Sequence, residues 1–220
     1  MSLLLALASH ASGQVEKPTT LDKLTSAIQE GDSGAIRALL ANGVDLNTRD
    51  SSGTTALIES IEANQPELAK ELVVAGADPN FPDYTGWTAL MHAAWNCRLK
   101  MARYLLQHGA RLDARDRSGE TALMEAAWTC KDGSVVHLLI DAGAAVNDRS
   151  KTGDTALMKA AYNGDEEAVK ALVSAGADLS AKNAEGETAL TFAQSYGIGK
   201  KQVHKRIYAY LRRVSKQVPK

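Results

Sequence analysis

Short apolar stretches, separated by polar, turn-rich segments, recur along this chain at a near-constant spacing. The block Gly-x-Thr-Ala-Leu begins at Gly53, Gly86, Gly119, Gly153 and Gly186, at intervals of 33, 33, 34 and 33 residues. A second marker keeps step with it: a pair of branched apolar residues stands just ahead of Gly43, Gly76, Gly109, Gly143 and Gly176. Two markers sharing one period predict a repeated structural unit. Within a unit, the Thr of each Thr-Ala-Leu predicts a helix N-terminus whose hydroxyl accepts from first-turn amides. Leu90, Met91, Ala93 and Ala94 and their equivalents form the apolar, small-sided stripe of a short first helix.

A turn follows at Gly31, Asn64, Cys97, Lys131–Gly133 and Gly164, residue types that in the main tolerate left-handed backbone. The second helix, exemplified by 101–107, ends at the marker glycine, which suits the position just past a helix C-terminus. Pro66 opens one of these second helices, where its missing amide costs nothing. Polar linkers such as "ADPNFPDYTG" and "ARLDARDRSG" return the chain to the next first helix as hairpin-like loops. The longer interval carries one extra residue in "CKDGS", within an interhelical turn where insertion is tolerated.

These features resemble the ankyrin-repeat family. Its Thr-Pro-Leu-His-x-Ala block stands here as Thr88-Ala89-Leu90-Met91-His92-Ala93, with Ala for Pro and mostly Met for His. Its Gly-Ala-Asp-x-Asn block stands as Gly76-Ala77-Asp78-Pro79-Asn80, and as variants at Gly43 and Gly176. The resemblance implies an all-α solenoid of six helix-turn-helix pairs joined by β-hairpin-like loops. The array runs over 21–214, with an N-terminal cap over 21–43, repeats starting near 44, 77, 110 and 144, and a C-terminal cap over about 177–214. Terminal units need a polar outer face because each has one neighbour only.

The same stretch of sequence appears twice, as "TALMHAAWNC" and "TALMEAAWTC". The position after the paired alanines reads Glu62, Trp95, Trp128, Tyr162 and Ser195, so aromatics occupy three consecutive repeats. Each lies four residues after a methionine, side by side on a helix, where sulfur meets a ring edge. The methionines are expected in the core. Trp95, Trp128 and Tyr162, extended by Trp87 and Tyr84, are expected to line the concave groove that the resemblance implies and to anchor a protein partner. Arg117 and Lys151, on charged hairpin tips that vary between repeats, are candidates for selecting that partner by charge.

Cys97 and Cys130 are a candidate disulfide. Regular stacking of equivalent positions, about 10 Å apart, argues against it, since a bridge needs α-carbons within about 7 Å. The extra residue beside Cys130 argues the other way by turning that segment inward. Zinc would require two further ligands at metal-binding spacing, which the sequence does not offer.

Composition adds three points. With 220 residues, 45% of them apolar, and a formal net charge of -1, the chain has no global attraction for nucleic acid. Charge is uneven, because residues 188–220 hold eight Lys or Arg and no acid. Lys200, Lys201, Lys205, Arg206, Arg212 and Arg213 lie on a helix whose apolar stripe is Val203, Ile207, Leu211 and Val214. That helix reads as the C-terminal cap with a solvated basic face; attachment to an anionic membrane or polymer is the alternative. Residues 1–13 carry a short apolar run and a small-residue cut site, a candidate export signal that points to a periplasmic or secreted protein. A linker over 14–20 follows it, and 215–220 forms a basic tail. No catalytic motif emerges, and the five histidines, which sit at unrelated repeat positions, read as ordinary residues. The expectation is a monomeric, non-enzymatic protein-binding module without a cofactor.

Overall fold

The computed structural model describes residues 19–195 and 201–216. Those residues form twelve helices and no strand. They fall into pairs: α1 (Thr20–Glu30) with α2 (Ser33–Ala41), α3 (Ala56–Glu62) with α4 (Pro66–Val74), and α5 (Ala89–Trp95) with α6 (Leu99–Gln107). The remaining pairs are α7 (Ala122–Thr129) with α8 (Ser134–Asp141), α9 (Ala156–Asn163) with α10 (Glu166–Ser174), and α11 (Ala189–Ser195) with α12 (Lys201–Ser215). The candidate signal over 1–13, nearly all of the 14–20 linker, Lys200 and most of the basic tail lie outside the described residues.

Helices this short are marginal in isolation, so stacking must hold them. Odd-numbered helices pack in sequence, α1 on α3, α3 on α5 and so on to α11, while the even helices from α6 onward form an outer row. Leu57, Leu90, Leu123 and Leu157 fill the seam between the rows, and Ala94, Ala127 and Ala161 are fully buried where inner helices meet. Met91, Met124 and Met158 are buried in the same seam. Each fully buried leucine or methionine stabilises by about 1.5–3 kcal/mol.

Local signals behave as their chemistry requires. Thr55, Thr121 and Thr155 accept at their hydroxyls from the third amide of the following helix, whereas Thr88 holds the same extended backbone without that bond. Among the described residues, Asn64 and Cys97 are the non-glycine residues with positive φ, at 57° and 54°. In the repeat with the extra residue, the left-handed turn moves to Gly133, and Cys130 takes an extended backbone at the end of α7.

The loops are hairpin-like without forming a sheet. Two backbone bonds close each tip, as from the Asp83 amide to the Trp87 carbonyl at 2.9 Å and from the Gly86 amide to the Asp83 carbonyl at 3.1 Å. A further bond ties each tip to the one before it, as from the Arg117 amide to the Thr85 carbonyl and from the Lys151 amide to the Ser118 carbonyl. Asparagines bridge neighbouring repeats from below: Asn80 donates to the Gly109 carbonyl at 2.9 Å and accepts from the Arg111 amide at 2.8 Å. Asn47 and Asn147 repeat this pattern toward Gly76 and Asp78, and toward Gly176 and Asp178. Asp113 stands at that position in the intervening repeat, and it pairs with Arg111 instead.

Candidate functional site

Inner helices and hairpin tips share one face, and the doubled tryptophans stand on it. Trp95 and Trp128 are 39% and 36% exposed, close to the end of α5 and α7 respectively. Tyr162 is half-buried because Trp128 stacks on it at 4.7 Å and Phe192 meets it edge-on at 6.0 Å. Trp87 packs edge-on against Trp95 at 5.4 Å, and its indole donates to Asp116 at 3.0 Å. The rings therefore form two groups, Trp87 with Trp95 and Trp128 with Tyr162 and Phe192, in place of one even ridge. Phe192 was not anticipated, since it stands three positions earlier in its repeat than the other ring-bearing residues.

A cleft of 460 Å³ opens between the two groups, walled by Trp87, Trp95 and Trp128, with Asp116, Glu120, Glu125 and Lys159 among its lining. Arg117 stands at its rim, exposed. Lys151 is exposed on the next tip, and its aliphatic stem lies against Gly119. Tyr84 lies on the preceding hairpin. Its ring covers Gly53, whose φ of +91° and 2.1 Å clearance for any added Cβ admit no side chain there. Other tip cations are committed to the array: Arg49 donates to the Pro82 carbonyl, Arg115 to Arg149, and Arg149 to Lys182. Those arginines hold adjacent tips together.

Beneath the rings runs a row of charges that sequence reading missed. The residue after each methionine position is Glu59, His92, Glu125 and Lys159, alternately acid and base at one repeat register. His92 was read as ordinary. It is buried, with Nε2 3.0 Å from Asp83 and Nδ1 3.0 Å from Glu62. Burial alone would push its pKa down, but the two carboxylates outweigh it and lift it to about 8. Asp83 responds in kind: burial opposes its ionisation, yet hydrogen bonds from His92, Thr85 and the Trp87 amide hold it below the usual carboxylate range. Glu125 is pushed up to about 8, first by burial and then by the Glu120 carboxylate beside it. Lys159 pairs with Glu120 at 2.8 Å and lies 4.8 Å from the centre of the Trp128 ring. The alternation of charge at a fixed register was the available signal; a search for single motifs passes over it.

The two cysteines are bonded to one another, with their α-carbons 5.6 Å apart. The expectation from regular stacking, about 10 Å, does not hold at this place. Cys97 is left-handed, whereas Cys130, with one more residue before the next helix, stays extended and turns inward. The fully buried Ala93, Ala94, Ala126 and Ala127 let α5 and α7 approach closely. Thr129 also donates to the Trp95 carbonyl at 2.8 Å. Bridge and hydrogen bond therefore join the ends of the two helices that carry Trp95 and Trp128, and set the width of the cleft between them.

At the C-terminal end, Ile207 and Leu211 are buried, and Val203 and Val214 are half-buried against the array. Lys205, Arg206, Arg212 and Arg213 are exposed. Two of them have partners within the fold, since Arg206 pairs with Glu166 at 2.8 Å and Arg213 lies over Tyr210. No helix among the described residues is long and apolar enough to cross a membrane.

The family profile for ankyrin repeats in three copies matches residues 24–116, 67–149 and 123–212, nearly the whole described chain. The chain is an ankyrin-repeat protein. Ankyrin repeats generally mediate protein–protein interaction and are typically non-enzymatic. A search of curated proteins finds none that matches this chain.

Proposed function

We propose that this ankyrin-repeat array binds a partner protein across the face built from its inner helices and hairpins. Trp95, Trp128 and Tyr162 act as anchors, with Trp87, Tyr84, Arg117 and Lys151 around them. The observation that carries the reading is the exposure of Trp95 and Trp128 on facing sides of one cleft, where large rings without cover are the usual anchors of protein interfaces. The test is affinity capture from native extract with the Trp95→Ala, Trp128→Ala double variant, and with Val74→Ser as a control on an outer helix. Val74 is 79% exposed. A partner lost by the double variant and kept by the control supports the assignment; undiminished capture of every partner by the double variant refutes it.

The Cys97–Cys130 bridge favours an oxidising compartment, in keeping with an export signal over 1–13. N-terminal sequencing of the mature protein and thiol titration of the freshly isolated chain test this. An uncleaved Met1 together with two free thiols would count against export.

A further inference from the structure

We propose that a cleft between two interhelical turns binds a small aliphatic carboxylate, its anionic head on Arg98 and its chain along an apolar wall. The cleft, of 330 Å³, lies between the α3–α4 and α5–α6 turns and is walled by Ile61, Pro66, Leu99 and Met101. It shares no lining residue with the cleft on the inner face. Arg98 and Lys100 also line it, and no Asp or Glu does. Small-molecule sites span about 300–1,000 Å³ and combine apolar walls with a few polar groups, so this cleft suits a small guest.

Two departures from the repeat pattern make the cleft complementary to an anion. The first is Arg98 itself. One repeat earlier, the equivalent Gln65 donates to the Ile28 carbonyl of the preceding unit. Arg98 makes no such bond: its Nε is buried without a hydrogen-bond partner, and it joins none of the ion pairs among the described residues. A buried donor left unpaired is costly, and a carboxylate is the acceptor whose two oxygens match the planar guanidinium fork. The second departure is at the start of α6. Asp32 and Asp165 cap α2 and α10 by accepting from the amides two and three residues on. Arg98 stands in that place in α6, which has no side-chain cap, so the amides of Lys100 and Met101 lack the acceptor that Asp supplies elsewhere. Both of those residues line the cleft. Guanidinium, ammonium and helix N-terminus therefore give it positive charge with no carboxylate to offset it. An inorganic anion would leave the wall of Ile61, Pro66, Leu99 and Met101 uncovered, whereas an aliphatic chain buries it.

The test titrates octanoate into the full chain, with octanamide, octylammonium and acetate as controls that lack, in turn, the charge, its sign and the chain. Methyl resonances of Ile61, Leu99 and Met101 report binding, while the Trp128 indole, on the inner face, reports any general change. Saturable shifts at the cleft with octanoate, at about 1 mM, and none with the three controls, are expected. Arg98→Gln, the residue type at the equivalent position of the preceding repeat, should weaken octanoate on the order of tenfold. Arg98→Asp, which supplies the cap that α2 and α10 have, should abolish binding while holding or raising the thermal midpoint, so that lost binding is not lost fold. Equal shifts from octanoate and octanamide, octanoate binding indifferent to Arg98→Gln, or no saturation with octanoate would overturn the proposal.

Discussion

The repeats containing His92 and Glu125 place an ionisable residue, a base in one and an acid in the other, at the same register, and the two are enclosed differently. His92 is enclosed: a carboxylate meets each ring nitrogen, and Trp87 covers it from the hairpin with ring centres 5.1 Å apart. Glu125 is left beside an open cleft, because Glu120 occupies the hairpin position where Trp87 stands one repeat earlier. The changes from Trp87 to Glu120 and from Glu62 to Trp95 at equivalent positions replace a closed ionic cluster with one that borders an open cleft. The scaffold is constant, and the residue directly after the marker glycine, Trp87 or Glu120, helps decide whether the inner face is sealed.

The largest expected effect comes from releasing the clamp between the two repeats. The Cys97→Ser, Cys130→Ser variant frees a loop of about 33 residues in the unfolded chain and should lose about 3–4 kcal/mol of stability. Urea unfolding with and without reductant measures it, and reductant should leave the variant unchanged.

Breaking the closed cluster comes next. His92→Ala leaves Asp83 and Glu62 without the imidazolium between them and should cost about 2–4 kcal/mol near neutral pH. The wild-type contribution has a defined pH window. His92 has a folded pKa of about 8 against an ordinary 6.5, so its stabilisation is complete below 6.5 and fades as pH rises through 8. The gap between wild type and His92→Ala should therefore narrow between pH 6 and pH 9 in thermal melts. A constant gap would mean that His92 is not charged in the folded protein.

Unsealing the cluster has a smaller effect. Trp87→Thr, the residue type at the same place in the preceding repeat, removes the cover over His92 and the bond to Asp116. It should cost about 2 kcal/mol, and hydrogen exchange at the Asp83–Trp87 tip should accelerate. The smallest effect belongs to the open cluster. Glu125 is raised from 4.5 to about 8, so it favours folding at low pH, and that advantage is lost as pH rises through 8. Glu125→Gln should match wild type at pH 4 and exceed it by about 1 kcal/mol near pH 5.5, as read by denaturant midpoints.

Much of this was legible in the chain. Gly-x-Thr-Ala-Leu and the branched pairs before Gly43 to Gly176 mark the helix starts and ends, because capping and left-handed turns are local chemistry. The methionine core and the exposed Trp95 and Trp128 followed from the repeat register. His92 was misjudged because its partners, Glu62 and Asp83, come from the preceding inner helix and a hairpin, and neither contact has a local signature. The bridge stayed open in the sequence because regular stacking and the extra residue beside Cys130 argue in opposite directions, and only the distance between the two turns decides between them.

The sequence alone determined the period, the helix pairs, the apolar seam and the identity of the rings left on the inner face, since these depend on interactions within one unit or on its regular repetition. Only the tertiary structure decided which charges meet, that Cys97 and Cys130 are joined, and that the rings divide around a cleft. Those outcomes depend on distances between side chains from neighbouring repeats, set by how closely alanine-faced helices approach, and no spacing along the chain encodes them.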